Sequence, residues 1–385
     1  TEGSHCSVCG VTIVAQETVA ALGHSYTYVD NGDGTHTATC SVCNDTVTAD
    51  HTFVDGTCVC GAVEVVDHTD PNLTFLNNSI SLSMASYIGA QMEITPAAAA
   101  AYDSIYVVVS QVKPTGTVES TLTENIAADL VDSNNNQRYV FEYTLAAAMM
   151  NDSITATVYG VKDDVVYTGA TIEGWSVKAG ALTQLATYYP YIKYAAYKNR
   201  CIMLVDMLNY GAEAQNTFGY NADNLVNADL DAKYAALATA TTPTIEDTSS
   251  VTANGLSSAY VYGNPAIGAE TTIQLQVRFK MPSKTTSNYE ALTSYADKNI
   301  VIDGSEFYGA GTTSYPTMIY DGLQAGEVRT LIEITIYEKS TGNPISETYT
   351  MSIESTASFM IGGTFNDLMI ALMKFGDATA TAFGG

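Results

Sequence analysis

The chain has 385 residues, of which 46% are hydrophobic, enough for two or three domains with cores of their own. Its 41 acidic and 15 basic residues give a net charge of −26, a field that repels nucleic acid and anionic lipid, so we expect neither as a partner. No stretch approaches the roughly 20 apolar residues of a membrane span, and we predict no membrane insertion in this segment.

The composition indicates a secreted protein. Only 15% of the residues are charged, and the remaining surface must be covered by Thr, Ser, Asn and the 26 tyrosines, which is typical of secreted β-proteins. The sequence does not begin with Met and carries no signal peptide, which indicates a segment of a longer protein.

Residues 1–70 are predicted to form a separate Cys/His-rich module. All five histidines and six of the seven cysteines lie within the first 68 residues. A unit recurs there, in which a histidine and an aromatic residue two positions on precede a close cysteine pair. Its two complete copies are His24 and Tyr26 with Cys40 and Cys43, and His51 and Phe53 with Cys58 and Cys60.

Each of these units is too short to bury a core, so a cross-link must supply the stability. Paired thiolates and histidines at this spacing suit a tetrahedral structural zinc site, and disulfides or unliganded thiols are the other interpretations. The predicted ligands are the quartet Cys40, Cys43, Cys58 and Cys60, with His24 and His51 as alternative ligands beside Cys40 and Cys43, and with Cys6 and Cys9 as a partial upstream pair.

Residues 71–222 are predicted to form an antiparallel β-sandwich that ends in a helix. Short runs with alternating apolar residues, such as 104–109, 138–143 and 154–159, are separated by turn-forming clusters, which favours a sandwich. From Tyr194 to Phe218 the apolar residues recur every three or four positions, which predicts one long amphipathic helix. Five tyrosines between 188 and 197 favour packing, with a ligand platform as the alternative.

The same order returns in residues 251–385, which are predicted to be a second copy. Ile154–Tyr159 is echoed by Ile332–Tyr337, and Met207–Gly211 by Leu372–Gly376. A glycine inside a helix costs about 1 kcal/mol relative to alanine, so its repetition at one register predicts a close backbone approach. Residues 223–250 are predicted to be a linker, with a short helix within 224–238.

The fold class predicted is therefore mainly β with accessory helices. A small Cys/His-rich module precedes two tandem antiparallel β-sandwich-like domains, and each of these ends in a packed amphipathic helix.

Several segments resemble modules of the large repeat-containing surface proteins of gut Firmicutes. Residues 1–10 and 21–24 resemble a Cys/His-rich repeat of those proteins, and 33–40 and 53–61 resemble variants of it. Residues 175–178, 207–215 and 218–221 resemble a second module of the same class. The resemblance implies an extracellular location at the bacterial cell surface, and it implies architecture rather than an activity.

Enzyme motifs are missing from the sequence. It contains no G-x-S-x-G, H-E-x-x-H or G-x-x-x-x-G-K pattern, and no histidine follows His68. We therefore predict a non-catalytic structural stalk or adhesin segment, with neighbouring protein modules as partners. A carbohydrate-binding module with glycan ligands is the first alternative, and a self-assembling filament subunit is the second. No ligand-binding residues are singled out by the sequence.

Overall fold

The computed structural model describes residues 4–9, 12–14, 24–54, 56–62, 68–81, 88–113, 116–124, 130–133, 136–250, 266–267, 275–295, 298–313, 315–320 and 323–383. The chain divides into two compact units, Thr1–His68 and Thr69–Gly385. The fold class predicted from the sequence is confirmed, because antiparallel sheets predominate and a few helices accompany them.

The first unit consists of short antiparallel strands. The central sheet has the order β3-β4-β5, and two small hairpins, β1-β2 and β6-β7, accompany it. Strands β3 and β4 are joined by a tight turn in which Gly32 and Gly34 have positive φ, and the Asp30 carboxylate accepts from the Gly32 amide at 2.9 Å. The strands are β1 (Ser4–His5), β2 (Thr12–Val14), β3 (Tyr26–Asp30), β4 (Thr35–Cys40), β5 (Thr46–Asp50), β6 (Phe53–Val54) and β7 (Thr57–Cys58).

The second unit begins with a β-sandwich, reached through the short strand β8 (His68–Thr69). One sheet has the strand order β9-β10-β14-β13, and the other contains β12-β11-β15-β16. The described ladders between these strands are antiparallel. The elements are β9 (Asn77–Ser81), β10 (Ile88–Ile94), α1 (Pro96–Ala99), β11 (Ser104–Lys113), β12 (Gly116–Glu124), β13 (Leu130–Ser133), β14 (Asn136–Leu145), β15 (Ser153–Lys162) and β16 (Val165–Trp175).

Read in chain order as strands A to G, these two sheets have the orders A-B-E-D and C′-C-F-G, which is an immunoglobulin-like sandwich. Alternation along β11 turns Ile105, Val107 and Val109 inward, where they share a buried cluster with Met92 and Phe141 of the opposite sheet. This cluster is the core that the period-two pattern of the sequence predicted.

Helices follow the last strand of this sandwich. α2 (Val177–Tyr188) is capped by the Ser176 hydroxyl, which accepts from the Ala179 amide at 3.1 Å. A single 3₁₀ turn, Tyr189–Tyr191, leads to α3 (Ala195–Phe218), which ends at Gly219 in the left-handed conformation. The predicted apolar stripe is buried at Cys201, Leu204 and Leu208, whereas Tyr194 and Tyr197 at its start are exposed.

The second sandwich repeats this arrangement. Its sheets have the orders β17-β18-β21 and β20-β19-β22, and both β23 and β24 pair with β22, so together they occupy the place of β16. After α4 (Ala232–Ala235), the elements are β17 (Ala266–Ile267), β18 (Leu275–Arg278), β19 (Tyr289–Tyr295), β20 (Lys298–Asp303), β21 (Thr317–Tyr320), β22 (Ile332–Glu338), β23 (Asn343–Pro344), β24 (Tyr349–Met351), α5 (Ile353–Ser358) and α6 (Asn366–Phe383).

The repeated helix glycines fit the close approach that the sequence predicted. A Cβ on Gly211 would lie 2.7 Å from Met150 Sδ and 3.1 Å from the Ala147 carbonyl oxygen. A Cβ on Gly376 would overlap Val328 and lie 3.0 Å from the Ala325 carbonyl oxygen. In each copy the long helix therefore lies directly against the 3₁₀ turn before strand F, at Ala147–Met149 and Ala325–Glu327.

The two copies do not stand apart as the separate domains 71–222 and 251–385. One buried cluster contains α3 residues of the first copy together with α6 and sandwich residues of the second. Where the long helices meet, the rings of Tyr210 and Phe375 stack with centroids 6.0 Å apart and planes 15° apart. Burial of both apolar stripes in one place joins the copies into a single unit.

The segment predicted to be a linker, 223–250, packs against this shared core. Val226 is buried, and Leu230, Tyr234 and Ile245 pack on the same cluster. α4 is the short helix expected there. Asn151 donates to the Asn224 carbonyl oxygen at 2.7 Å, so the segment is held to the first copy by a hydrogen bond as well.

Candidate metal centre

The cysteines and histidines of the first unit form two separate clusters that could hold a metal ion. His36, His51, Cys58 and Cys60 form one, here called the four-residue cluster. His24, Cys40 and Cys43 form the other, called the three-residue cluster. Within each cluster every residue offers a nitrogen or sulfur atom, and these atoms all lie within 4.8 Å of one another.

Three elements place the members of the four-residue cluster. His36 is on the buried face of β4, because that strand alternates and turns His36, Ala38 and Cys40 inward. His51 follows the end of β5, and Cys58 ends β7. The Sγ atom of Cys58 lies 3.7 Å from Nδ1 of His36, and the rings of His36 and His51 are stacked 5.7 Å apart.

His51 supplies the clearest sign that the four-residue cluster fits a metal. Its side chain is 9% exposed, and its Nε2 atom makes no hydrogen bond although it is buried. The nearest carboxylate, Oδ1 of Asp30, lies 3.3 Å from Nε2 without hydrogen-bond geometry. A buried polar atom without a partner is destabilising, so the cluster fits a bound ion that would engage this imidazole.

The three-residue cluster is more open. Cys40 is buried at the end of β4, whereas His24 and Cys43 are exposed. Sγ of Cys43 lies 3.3 Å from Nδ1 of His24. Two thiols and one imidazole are soft and borderline ligands that suit zinc, and they leave one tetrahedral position unfilled by the described residues.

In each cluster the surroundings of one thiol favour its deprotonation. Burial opposes ionisation of Cys40, but the backbone amides of Val42 and Cys43 outweigh it and lower the pKa of this thiol to about 6. The Cys60 backbone amide, as the largest influence, lowers the pKa of Cys58. Burial raises the pKa of Cys60, its close partner. The thiolate is the form that binds metal, so the lowered pKa of one sulfur in each of these two cysteine pairs favours metal binding.

The histidine–aromatic part of the sequence repeat has a structural explanation. Tyr26 lies with its ring centroid 5.5 Å from that of His24, and Phe53 lies 5.7 Å from His51. Tyr28 contacts His36 in the same way at 5.5 Å. In both complete units the aromatic residue two positions after the histidine therefore packs on the imidazole, whereas His36 is packed by Tyr28 of the neighbouring strand.

The structure divides the predicted zinc quartet. Cys40 and Cys43 belong to one cluster, and Cys58 and Cys60 belong to the other, so the four thiols do not surround a single point. The alternative site predicted from the sequence placed both His24 and His51 beside Cys40 and Cys43. In the structure His24 lies with that pair, but His51 lies with Cys58 and Cys60.

The partial upstream pair, Cys6 and Cys9, belongs to neither cluster, and all seven cysteines are free thiols. His36 is a ligand candidate that the sequence reasoning missed. Its signal was its place on β4, four residues before Cys40 and on the same face.

The second unit uses its buried carboxylates to join segments. Asp152 accepts from Gln111 Nε2 at 2.7 Å and from the Tyr220 hydroxyl at 2.6 Å. Asp206 accepts from the amide of Thr239 at 3.1 Å and from its hydroxyl at 2.6 Å. Burial raises the pKa of both carboxyls.

A cleft of about 300 Å³ beside Asp206 also contains Glu213, Asp367 and Lys374. Burial, with a smaller contribution from the neighbouring Asp367, raises the pKa of Glu213. No helix among the described residues has the length and apolar character needed to cross a membrane.

Comparison with known proteins adds little to this geometry. No protein-family model matches the chain, and no curated protein matches it. One similar solved structure is the crystal structure of chicken CNTN1 FN1-FN3 domains, at 8% sequence identity over 83% of this chain and 73% of that one. The TM-score of this match is 0.16, too low to bear on fold or function.

Proposed function

We propose that the chain is a non-catalytic structural segment of an extracellular bacterial surface protein, in which a zinc-stabilised Cys/His unit precedes a duplicated immunoglobulin-like unit. The observation that carries the proposal is the pair of Cys/His clusters in the first unit. A stalk or adhesin of this kind needs modules that are stable outside the cell, and a metal gives that stability to a unit with few buried apolar side chains.

Zinc is the metal that the ligand sets favour. Two imidazoles with two thiols are a combination that structural zinc sites use, and the three-residue cluster supplies three of the four ligands of such a site. The softness of sulfur disfavours calcium and magnesium, which prefer oxygen ligands. A metal in the four-residue cluster would join β4, the end of β5 and the hairpin β6-β7, so it would cross-link the central sheet to a separate hairpin.

A structural role is also supported by how the chain uses its ionisable groups. The histidines all lie in the first 68 residues, and three of them, His24, His36 and His51, lie beside cysteines and aromatic rings of that unit. In the second unit Asp152 and Asp206 are held by hydrogen bonds from neighbouring segments. A general base must instead be free to reach a substrate.

The test is the metal content of the purified chain, reconstituted with Zn²⁺ under reducing conditions and measured by elemental analysis. We expect one ion for each cluster. The double variant Cys58→Ser/Cys60→Ser should lose the ion of the four-residue cluster, and Cys40→Ser/Cys43→Ser that of the three-residue cluster.

Cys6→Ser/Cys9→Ser is the matched control, because it removes an equally spaced cysteine pair outside both clusters and should keep the full metal content. Cobalt substitution gives a second readout through the absorption of thiolate-bound Co²⁺. A chain that binds no zinc, or that loses the same amount in all three variants, would contradict the proposal.

A further inference from the structure

The turn between α2 and α3 carries a charge opposite to that of the whole chain. Among 41 acidic residues, none lies between Glu173 and Asp206, although four cations do. Nζ of Lys178 forms an ion pair with Oδ1 of Asp229 at 2.5 Å. The other three cations, Lys193, Lys198 and Arg200, lie in the turn or in the first residues of α3. A local cationic surface on a strongly acidic protein marks a place where an anionic group can approach.

Three of the five tyrosines at this turn are exposed. Tyr191 is 51% exposed, Tyr194 54% and Tyr197 38%. The ring of Tyr197 lies 5.3 Å from that of Tyr191 and 6.4 Å from that of Tyr194, so the three form one contiguous aromatic face. We call these rings, together with Lys193 and Lys198, the tyrosine surface.

The turn under this surface is held by packing and by a backbone hydrogen bond. Ile192 and Tyr188 pack against the shared core, and the ring of Tyr197 also contacts that of Tyr188 at 5.9 Å. The Tyr194 amide donates to the Tyr191 carbonyl at 2.9 Å, which closes the turn before α3 begins. Exposed rings on a fixed backbone lose little conformational freedom when a ligand binds.

The cations lie among the rings. Nζ of Lys193 is 5.0 Å from the centroid of Tyr194, and the guanidinium of Arg200 is 5.5 Å from that of Tyr188. Lys193 and Lys198 are exposed, and no branched aliphatic side chain is exposed between residues 191 and 198. A ligand at this surface would therefore contact mainly ring faces and ammonium groups.

We propose that the tyrosine surface binds a glycan chain that carries carboxylate groups. The apolar face of a sugar ring stacks on tyrosine, the phenol hydroxyls meet sugar hydroxyls, and the ammonium groups pair with the carboxylates. The inference goes beyond the structural role proposed above and does not depend on the metal.

The net charge of the chain favours a carboxylate-bearing glycan over nucleic acid as the ligand. A nucleic-acid duplex has one charge for about every 1.7 Å, and the overall charge of −26 opposes its approach. A polysaccharide with one carboxylate per sugar has a lower charge density, so a local surface with a few cations can offset the repulsion. Screening at physiological salt confines the repulsion to about 8 Å.

Affinity electrophoresis of the full chain tests the proposal, with polygalacturonate or its fully methyl-esterified form cast into native gels. We expect the wild type to be retarded by polygalacturonate, and less by the ester, in which the carboxylates are masked. Tyr191→Ala/Tyr194→Ala and Lys193→Gln/Lys198→Gln should each weaken the retardation about tenfold. Near-ultraviolet circular dichroism verifies that these variants remain folded.

Tyr308→Ala is the matched control, because Tyr308 is 75% exposed but lies outside this surface, beside β21. It should be retarded like the wild type. No retardation of the wild type, or loss of retardation in Tyr308→Ala but not in the surface variants, would overturn the proposal. So would equal retardation by single-stranded oligo(dT), which would point to nucleic acid instead.

Discussion

The two units of this chain reach stability by different means. In the first, the buried side chains among the described residues are His36, Ala38, Cys40 and Cys58, and three of these belong to the clusters that could hold a metal ion. In the second, aliphatic and aromatic side chains fill two clusters, one of which joins both copies of the sandwich. Under the function proposed above, the first unit depends on the placement of ligand atoms, and the second depends on packed volume.

This difference predicts that the units respond to different perturbations. A metal site fails when one ligand is lost or the ion is removed, whereas a packed core fails when volume is added or a buried charge loses its partner. An experiment that perturbs only the metal sites, or only the packed core, therefore leaves the other unit as an internal reference.

The largest effect is expected from removal of the metal. Chelation under reducing conditions should unfold the first unit, because structural zinc contributes on the order of 10 kcal/mol to folding. The second unit should keep its melting transition. Hydrogen exchange resolved by mass spectrometry measures both at once, with loss of protection expected in β3–β5.

Cys201→Ser provides the reciprocal comparison for the chelation experiment. Cys201 is buried in α3 of the second unit and belongs to neither cluster, and burial raises the pKa of its thiol. Serine there should lower the stability of the second unit and leave the zinc content unchanged. Loss of protection in both units on chelation would mean that they do not differ as described.

Gly376→Ala is expected to be the most damaging change of volume. The new Cβ would overlap Val328, a β-branched residue with little rotamer freedom, and the net loss should be about 2–3 kcal/mol despite the better helix propensity of alanine. Gly211→Ala should cost less, about 1 kcal/mol, because its closest neighbour is the flexible thioether of Met150. Thermal or urea denaturation gives both values.

A double-mutant cycle tests the stated cause of the Gly376 effect. In a Val328→Ala background the methyl groups that block the new Cβ are gone, so Gly376→Ala should cost clearly less than it does alone. Simple additivity of the two substitutions would show that another contact is responsible.

Arg329→Met should destabilise the second unit by about 2 kcal/mol, because it leaves a buried carboxylate without its partner. The guanidinium pairs with Glu354, forms a bidentate pair with Asp377 at 2.6 and 2.8 Å, and donates to the Thr244 carbonyl at 3.2 Å. Chemical denaturation is the measurement. Arg278→Met, an exposed arginine on β18, is the control and should change stability by less than about 0.5 kcal/mol.

The smallest effect is expected from Asp303 at low pH. The Lys339 ammonium beside it lowers the pKa of this carboxyl to about 2, below the ordinary value near 4. The pair therefore stabilises the fold above about pH 4, and this contribution is lost as the pH falls toward 2. Asp303→Asn should flatten the decline in melting temperature over that range, and an unchanged decline would assign it to other carboxyls.

Local patterns predicted much of this fold. Alternation along β11 and the three- and four-residue spacing in α3 reflect which face of each element is buried, a property that the sequence displays directly. The glycine at one register of both long helices, Gly211 and Gly376, likewise indicated from the sequence alone that the backbone makes a close contact there.

Those local patterns could not predict which residues far apart in the sequence come together. Which histidine meets which cysteine depends on how β4, β5 and the β6-β7 hairpin come together, so the quartet was divided and His36 was missed. The packing of 223–250 on the shared core was missed for a similar reason, since Pro243 and the surrounding threonines are typical of a linker when no partner is known.

The stacking of Tyr210 on Phe375 bears on the history of the chain, because these are the same position in the two copies. Contact between counterpart residues is typical of an isologous interface, in which the same surface of two equivalent halves meets across a two-fold axis. Such a contact is what fusion of the two subunits of a homodimer leaves within one polypeptide. Around it the two copies differ, because Arg329 pairs with Glu354 and Asp377 whereas Asn151, its counterpart, donates a hydrogen bond to the connecting segment.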